Sequence, residues 1–316
     1  MSTNTLTRRD IIRQAVLGLA ATGIAPYINA ETNAGGIPLR TLGHTGEKVP
    51  MLALGGHHIG RIKDDAESIR LIRQAIDRGV TFLDNAWCYH DGRSEVLMGN
   101  ALRDGYRKKV FLMTKVHGRD KQGALKHLEE SLKRFHTDVI DLWQFHDIRE
   151  EDPDKIFAPG GAVEAAEEAK KAGKIRYVGF TGHNNYLWHR RMLDFEYKWD
   201  AVQMPINALD PHFRSFRKNI VPILVERNIG VIAMKTMAAG DMLKTGVVDV
   251  NEGLRYIWSQ PISTAVSGMA SVEHLEANIK SAQNFKPMTE REQEALLNKT
   301  RQYALTGEYE TFKAKS

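Results

Sequence analysis

From residue 49 onward the chain alternates short apolar, β-rich runs with longer stretches of helical periodicity. One stretch carries Leu128, Leu132 and Phe135 on a single face, and Gly79 and Gly173 end two others as helix stops. Eight such alternations without a Pro/Gly/Ser-rich linker favour a closed α/β (β/α)8 TIM barrel over an open doubly wound sheet. The candidate strands are residues 51–54, 81–83, 110–113, 139–143, 175–180, 201–204, 230–234 and 264–266.

Two segments outside the eight alternations predict elements added to this barrel, a hairpin and a helix. Residues 37–50 predict a hairpin that covers the bottom, and residues 289–303 predict an extra C-terminal helix, so the barrel domain spans residues 37–303. The 316 residues include one cysteine, which excludes an internal disulfide framework. A composition of 42% hydrophobic and 26% charged residues is typical of a globular protein.

The first thirty residues predict an export signal. Arg8 and Arg9 precede an apolar stretch from Ala15 to Ala25 and a small residue at Ala30, which is the order of a twin-arginine signal peptide. A short membrane anchor or an amphipathic tail is the alternative. Cleavage after residue 30 would remove three arginines and one aspartate and lower the net charge from +5 to +3. We therefore expect a periplasmic protein that uses the twin-arginine machinery, spans no membrane after processing and binds no nucleic acid.

Four chemically distinct side chains follow the second, third and fourth candidate strands. They are Asp84, Tyr89, Lys115 and His146. Active sites of parallel barrels gather at these strand ends. Carbonyl reduction needs a proton for the oxygen, and a phenol with an ordinary pKa of about 10 donates poorly unless a cation stabilises the phenolate. Lys115 would lower the pKa of Tyr89, and a hydride would come from a nicotinamide cofactor.

The segments around these residues resemble the signatures of the aldo/keto reductases, which are (β/α)8 barrels that use NADPH. The matching segments are residues 82–89, 114–115 and 141–146, within a likeness that runs from about residue 37 to residue 284. The resemblance implies that Tyr89 is the acid/base, that Asp84 and Lys115 tune it, and that His146 orients the substrate.

The resemblance also implies a cofactor site without a Rossmann fingerprint, and residues 55–60 lack that spacing. NADPH is expected and NADH is possible, because Gly268 and His274 stand where the family often has the Lys and Arg that hold the 2′-phosphate. Met234 replaces a common stacking tyrosine, and Gly182 a common asparagine. The implied cofactor-binding residues are Gly55, Gly56, Thr181, Gln203, Met234, Lys235, Gly268 and Asn278.

Other motifs have simpler interpretations. No His-Glu-x-x-His or Cys-x-x-Cys spacing occurs, so no metal is expected, and Cys88 is predicted to pack in a loop. Ser94 is predicted to cap the following helix. Trp87 could line a substrate pocket or simply pack.

The sequence therefore predicts a NADP(H)-dependent aldo/keto reductase that interconverts a carbonyl compound and an alcohol. One alternative is a cofactor-bound sensor or partner-binding subunit with little turnover. A glycosidase barrel is another, with Asp84 and Asp147 as its carboxylate pair, but it leaves Lys115 unexplained. The sequence does not identify the substrate.

Overall fold

The structure of the protein is a computed structural model that describes residues 31–313. The predicted signal segment, residues 1–30, lies outside the described residues. The described chain opens with an antiparallel hairpin of β1 (Leu39–Thr41) and β2 (Lys48–Pro50). No helix in residues 31–313 combines the length and apolarity needed to cross a membrane.

Within these residues, eight parallel strands close into a barrel in which the neighbours follow chain order and the last strand pairs with the first. The predicted (β/α)8 barrel is therefore confirmed. Several strands run one to three residues beyond the apolar runs that predicted them, so some polar site residues lie on the strands themselves. The strands are β3 (Leu52–Gly55), β4 (Phe82–Asp84), β5 (Phe111–Val116), β6 (Ile140–Phe145), β7 (Ile175–Thr181), β8 (Ala201–Pro205), β9 (Gly230–Met234) and β10 (Thr264–Ser267).

Helices cover the barrel, and local signals explain several of their ends. The Asp64 carboxylate accepts hydrogen bonds from the first turn of α2, and Gly79 and Gly173 take the left-handed conformation just after two helices. The helices are α1 (Gly56–Ile59), α2 (Asp65–Asp77), α3 (Arg93–Ala101), α4 (Lys121–Phe135), α5 (Asp152–Phe157), α6 (Ala162–Lys171), α7 (Tyr186–Asp194), α8 (Phe216–Asn219), α9 (Val221–Glu226), α10 (Asp241–Lys244), α11 (Val250–Trp258), α12 (Val272–Gln283) and α13 (Glu290–Ala304).

The predicted hairpin closes the bottom of the barrel. Leu42 and Val49 are fully buried in one apolar cluster with residues from the strands above, such as Phe82. Gly43 has φ +51, and a Cβ there would lie 2.3 Å from the backbone nitrogen of Gly230, so a larger residue would push the hairpin away.

The predicted C-terminal helix is α13, which starts at a capping box between Thr289 and Glu292. The chain after it packs back onto the barrel. Lys313 is 1% exposed, and its Nζ donates at 2.8 Å to Asp210 and at 2.8 Å to Glu310. A buried ion-pair network therefore holds the tail near the C-terminal ends of the strands.

Candidate active site

The four predicted chemical groups come together at the C-terminal end of the barrel. Asp84 is the last residue of β4, Lys115 lies on β5, and His146 directly follows β6. Tyr89 lies in the loop after β4, where its backbone N–H donates to the carbonyl of Ala86 at 3.0 Å. Adjacent parallel strands thus carry all four residues to one edge.

Lys115 is the centre of this group. Its Nζ donates to the Asp84 carboxylate, to the Asn85 carbonyl at 2.6 Å and to the Tyr89 hydroxyl at 3.3 Å. Lys115 is 1% exposed, so these contacts replace the water that an ammonium group normally requires. The geometry fixes a cation beside the phenol oxygen.

Burial and this cation act on the phenol in opposite directions. Burial raises the pKa of Tyr89 to about 12, and the Lys115 charge opposes that rise. Burial lowers the pKa of Lys115, but Asp84 and Tyr89 together outweigh it and hold the pKa above its ordinary value. Lys115 therefore contributes with the predicted sign, whereas the expected net lowering of the Tyr89 pKa is wrong, because desolvation of the phenolate is the larger effect.

His146 packs beside Tyr89 in an edge-to-face arrangement with ring centroids 5.8 Å apart. Burial and the charge of Lys115 lower the pKa of His146 well below its ordinary value, so the ring is neutral at pH 7. Its Nδ1 is 2.9 Å from Nε2 of His117, a neighbour that the sequence analysis did not single out. This contact occupies Nδ1, so Nε2 is the ring nitrogen of His146 that lies outside it.

A buried glutamate supports the strand that carries Lys115. Glu95 is fully buried and accepts hydrogen bonds from Thr114 at 2.6 Å, Ser131 at 2.9 Å and Arg134 at 3.0 Å. Sequence reasoning missed this role, because the three partners of Glu95 lie 19 to 39 residues away in the chain. Its position on a face of α3 that meets α4 was the available signal.

The contacts of two further residues near Tyr89, Ser94 and Trp87, can be compared with the roles predicted for them. Ser94 does not cap a helix: α3 begins after Gly92, and the Ser94 hydroxyl donates to the Gly56 carbonyl at 2.7 Å. Trp87 packs on α4, with its ring stacked on His127 at 3.6 Å and its Nε1 donating to Glu130 at 2.6 Å.

The predicted cofactor residues on β7, β8 and β9 lie at the same end of the barrel. Thr181 and Met234 end their strands, and the Thr181 hydroxyl is 3.9 Å from the Met234 sulfur. Gln203 is 1% exposed and accepts from Gln144 at 3.3 Å. Lys235 has φ +53, and burial, together with the Lys115 charge, lowers its pKa.

The remaining predicted cofactor residues make close contacts within the protein. A Cβ on Gly56 would lie 2.7 Å from the Asp84 carbonyl oxygen, and one on Gly268 would lie 2.2 Å from the His58 ring. At Gly55 the nearest atoms would be 3.2 Å away. Asn278 is largely buried and donates to the Ser267 hydroxyl at 2.9 Å. Packing alone explains these residue types, and their cofactor contacts stay predictions.

A group of cationic side chains surrounds this region, and the sequence analysis did not recognise it. Burial and the charges of Arg61 and His58 lower the pKa of His57 to about 4. Burial, Arg61, Lys235 and His274 likewise lower the pKa of His58. The "cationic group" is Arg61 and Lys235 together with the histidines beside them, His57, His58 and His274, which converge from the ends of β3, β9 and β10. The arginine and the lysine carry its positive charge, which is suited to an anionic ligand.

The C-terminal tail borders the same region. The Phe312 carbonyl is 3.2 Å from Nδ1 of His183, and Nζ of Lys235 lies 5.7 Å from the centre of the Phe312 ring. The tail therefore connects the loop after β7 with the loop after β9.

Comparisons with known proteins address this fold and site together. The model of the Aldo/keto reductase family matches residues 51–252, which include Asp84, Tyr89, Lys115 and His146. The chain belongs to the aldo/keto reductase family. L-galactose dehydrogenase of Arabidopsis thaliana is 30% identical over 233 residues, with 66% of this chain and 68% of that protein covered.

Solved aldo/keto reductases share the fold. Aldo-keto reductase AKR11C1 from Bacillus halodurans, in its holo form, superposes with a TM-score of 0.72 at 23% identity and covers 87% of this chain and 99% of its own. An aldo/keto reductase from Klebsiella pneumoniae in complex with NADP and acetate gives a TM-score of 0.69 at 21% identity, with 83% and 95% covered. This aldo/keto reductase is therefore an oxidoreductase built on a TIM barrel.

Proposed function

We propose that this aldo/keto reductase reduces an aldehyde or ketone to an alcohol with NADP(H), and that Tyr89 gives the proton to the carbonyl oxygen. The observation that carries the proposal is the placement of the Lys115 ammonium 3.3 Å from the Tyr89 hydroxyl. A cation fixed there stabilises the phenolate that proton donation leaves behind.

Each residue of the group has a separate part in this chemistry. Tyr89 keeps its proton at neutral pH, because burial raises its pKa to about 12. Lys115 compensates the negative charge that develops on the phenol oxygen, and Asp84 keeps Lys115 charged and in place. His146 is neutral and offers a ring N–H to the carbonyl oxygen, which orients the substrate without a competing charge.

The side chains at the ends of β3, β7, β9 and β10 fit a nicotinamide dinucleotide. The cofactor supplies the hydride. Its phosphates are anionic, and the cationic group offers His58, Arg61, Lys235 and His274 to them. An imidazole or guanidinium at this place would serve the 2′-phosphate in the absence of the family's usual lysine, which supports NADPH over NADH.

Binding and turnover test the proposal in sequence. The protein is titrated with NADPH and NADH, and NADPH consumption is then followed with a panel of aldehydes and ketones. We expect tighter binding of NADPH and carbonyl-dependent oxidation. Tight binding without turnover on any carbonyl would favour a cofactor-bound sensor, and the absence of binding to either nucleotide would contradict the reductase proposal itself.

The glycosidase alternative loses its support in this geometry. Asp84 is engaged by Lys115, and Asp147 is engaged by Arg149. A carboxylate pair for glycoside hydrolysis needs one protonated and one free group facing the substrate.

We also propose that residues 1–30 direct the folded reductase to the periplasm. Arg8 and Arg9 followed by an apolar stretch support the twin-arginine route. The test is fractionation of cells that express the full chain or its Arg8→Lys/Arg9→Lys variant. We expect the wild-type protein outside the cytoplasm and the variant inside it; the same distribution for both would contradict the proposal.

A further inference from the structure

Three potential metal ligands meet at the barrel mouth, although the sequence contains no metal-binding spacing. Cys88, His117 and His146 follow three successive strands, β4, β5 and β6. Across residues 31–313 they form a group whose ligand atoms all lie within 4.8 Å of one another. His117 and His146 directly follow their strands, and Cys88 lies in the loop after β4, so the barrel brings the three side chains together without a bound ion.

The distances between the three ligand atoms are close to those in a tetrahedral metal site. Nε2 of His117 is 3.0 Å from Sγ of Cys88 and 2.9 Å from Nδ1 of His146, and the third side, from Sγ to Nδ1, is 3.7 Å. Zn²⁺ bonds of about 2.0–2.1 Å to nitrogen and about 2.3 Å to sulfur require roughly 3.3 Å between nitrogens and roughly 3.6 Å between nitrogen and sulfur. Shifts of about half an ångström would complete this geometry.

The three ligand atoms depend on one another for their polar contacts. Each of these atoms lies within hydrogen-bonding distance of the other two. A neutral imidazole carries one N–H, so two facing ring nitrogens cannot both donate. At least one nitrogen lone pair or sulfur lone pair therefore points into the triangle, where a cation would accept it.

We propose that Cys88, His117 and His146 bind a thiophilic divalent cation of the Zn²⁺ type. One thiolate and two imidazoles suit such an ion, and three protein ligands leave a fourth position for water. The Cys88 thiol releases its proton to solvent when the sulfur binds the ion. The sequence-based expectation of no metal rested on linear motifs, whereas these ligands are 29 residues apart at each step along the chain.

Cobalt spectroscopy tests the site directly, because Co²⁺ substitutes for Zn²⁺ and absorbs light when bound to a thiolate. The full chain is titrated with Co²⁺ and then with Zn²⁺. We expect a thiolate-to-cobalt charge-transfer band that saturates at one ion per chain and disappears when Zn²⁺ is added. The absence of this band in the wild-type protein would overturn the proposal.

Variants show whether the band arises from this group. Cys88→Ser should abolish it, and His117→Ala should weaken Co²⁺ binding by about tenfold or more. The matched control is His136→Asn, because His136 is exposed at the end of α4 and asparagine tolerates its left-handed backbone. An unchanged affinity in His117→Ala would overturn the proposal.

Alkylation of Cys88 provides a readout that does not need cobalt. Iodoacetamide should modify the wild-type thiol more slowly when Zn²⁺ is present, and the same protection should occur in His136→Asn but not in His117→Ala. Circular dichroism checks that the variants are folded. Equal alkylation rates of the wild-type protein with and without Zn²⁺ would contradict the site, whatever the outcome of the carbonyl reductase assay.

Discussion

Nζ of Lys115 lies 3.3 Å from the phenol oxygen of Tyr89 at the C-terminal end of the barrel, where Lys115 is buried and Tyr89 is half-buried. Desolvation and a fixed cation therefore act on the same phenol. Because burial is the larger effect, the Tyr89 pKa rises to about 12, so the phenol is protonated at neutral pH, and the Lys115 cation lowers the cost of losing that proton.

This balance predicts different pH dependences for the two reaction directions. Reduction needs the protonated phenol and should show a nearly constant kcat from about pH 7 to about pH 10. Alcohol oxidation needs the phenolate, whose population rises about tenfold per pH unit below the pKa, and its kcat should rise accordingly. Initial rates with saturating substrates measure both profiles. A flat oxidation profile would show that another group takes the proton.

Replacement of Lys115 should slow both directions of the reaction. Lys115→Met removes the cation that opposes the rise of the Tyr89 pKa, so the phenolate that develops in the transition state is less stable. We expect kcat/KM to fall by about 10²–10⁴-fold for reduction and equally for oxidation, because a substitution leaves the equilibrium constant of the reaction unchanged. Asp84→Asn is the comparison: Lys115 keeps its bond to the Asn85 carbonyl, and the loss should be smaller. A loss for Lys115→Met no larger than that for Asp84→Asn would contradict the role assigned to its charge.

Cofactor binding should be coupled to proton uptake. Burial and neighbouring cations lower the pKa of His57 to about 4 and also lower that of His58. An anionic diphosphate would raise both pKa values, so the complex binds protons and its affinity increases as the pH falls.

Calorimetry with NADH measures this coupling, because NADH lacks the 2′-phosphate that itself titrates near neutral pH. Titrations in buffers of different ionisation enthalpy should report proton uptake near pH 6. His57→Gln should reduce the number of protons taken up. Proton release, or no exchange at all, would place the diphosphate away from these histidines.

The buried ion pairs of the C-terminal tail should contribute strongly to stability. Lys313→Met leaves the carboxylates of Asp210 and Glu310 without their shared cation, and the free energy of unfolding should fall by about 3–5 kcal/mol. Urea denaturation measures the change. Lys244→Met is the control, because its ion pair with Asp241 is exposed, and no measurable change is expected. Equal effects of the two substitutions would contradict the account of the tail.

The strands and the group of Asp84, Tyr89, Lys115 and His146 were predictable because both depend on local sequence. Apolar runs define the strands, and the chemistry follows directly after them in the chain. Ser94 was misplaced as a cap because the preceding loop enters the helix through Gly92 in a left-handed conformation, which frees the serine for the Gly56 carbonyl.

The missed features involve residues that meet only in the folded barrel. His117 reaches His146 from the next strand, and Glu95 reaches Thr114 from a helix. The net direction of the Tyr89 pKa was also out of reach, because it depends on how completely the phenol is desolvated.

Single-turnover reduction tests the central proposal most directly. The protein is loaded with NADPH and mixed with a carbonyl substrate identified in the panel, and loss of NADPH fluorescence gives the rate for the wild-type protein and for Tyr89→Phe. Because phenylalanine keeps the ring and removes only the hydroxyl, we expect unchanged NADPH binding and a rate reduced by about 10²–10⁴-fold. A rate for Tyr89→Phe equal to that of the wild-type protein would contradict the assignment of Tyr89 as the proton donor.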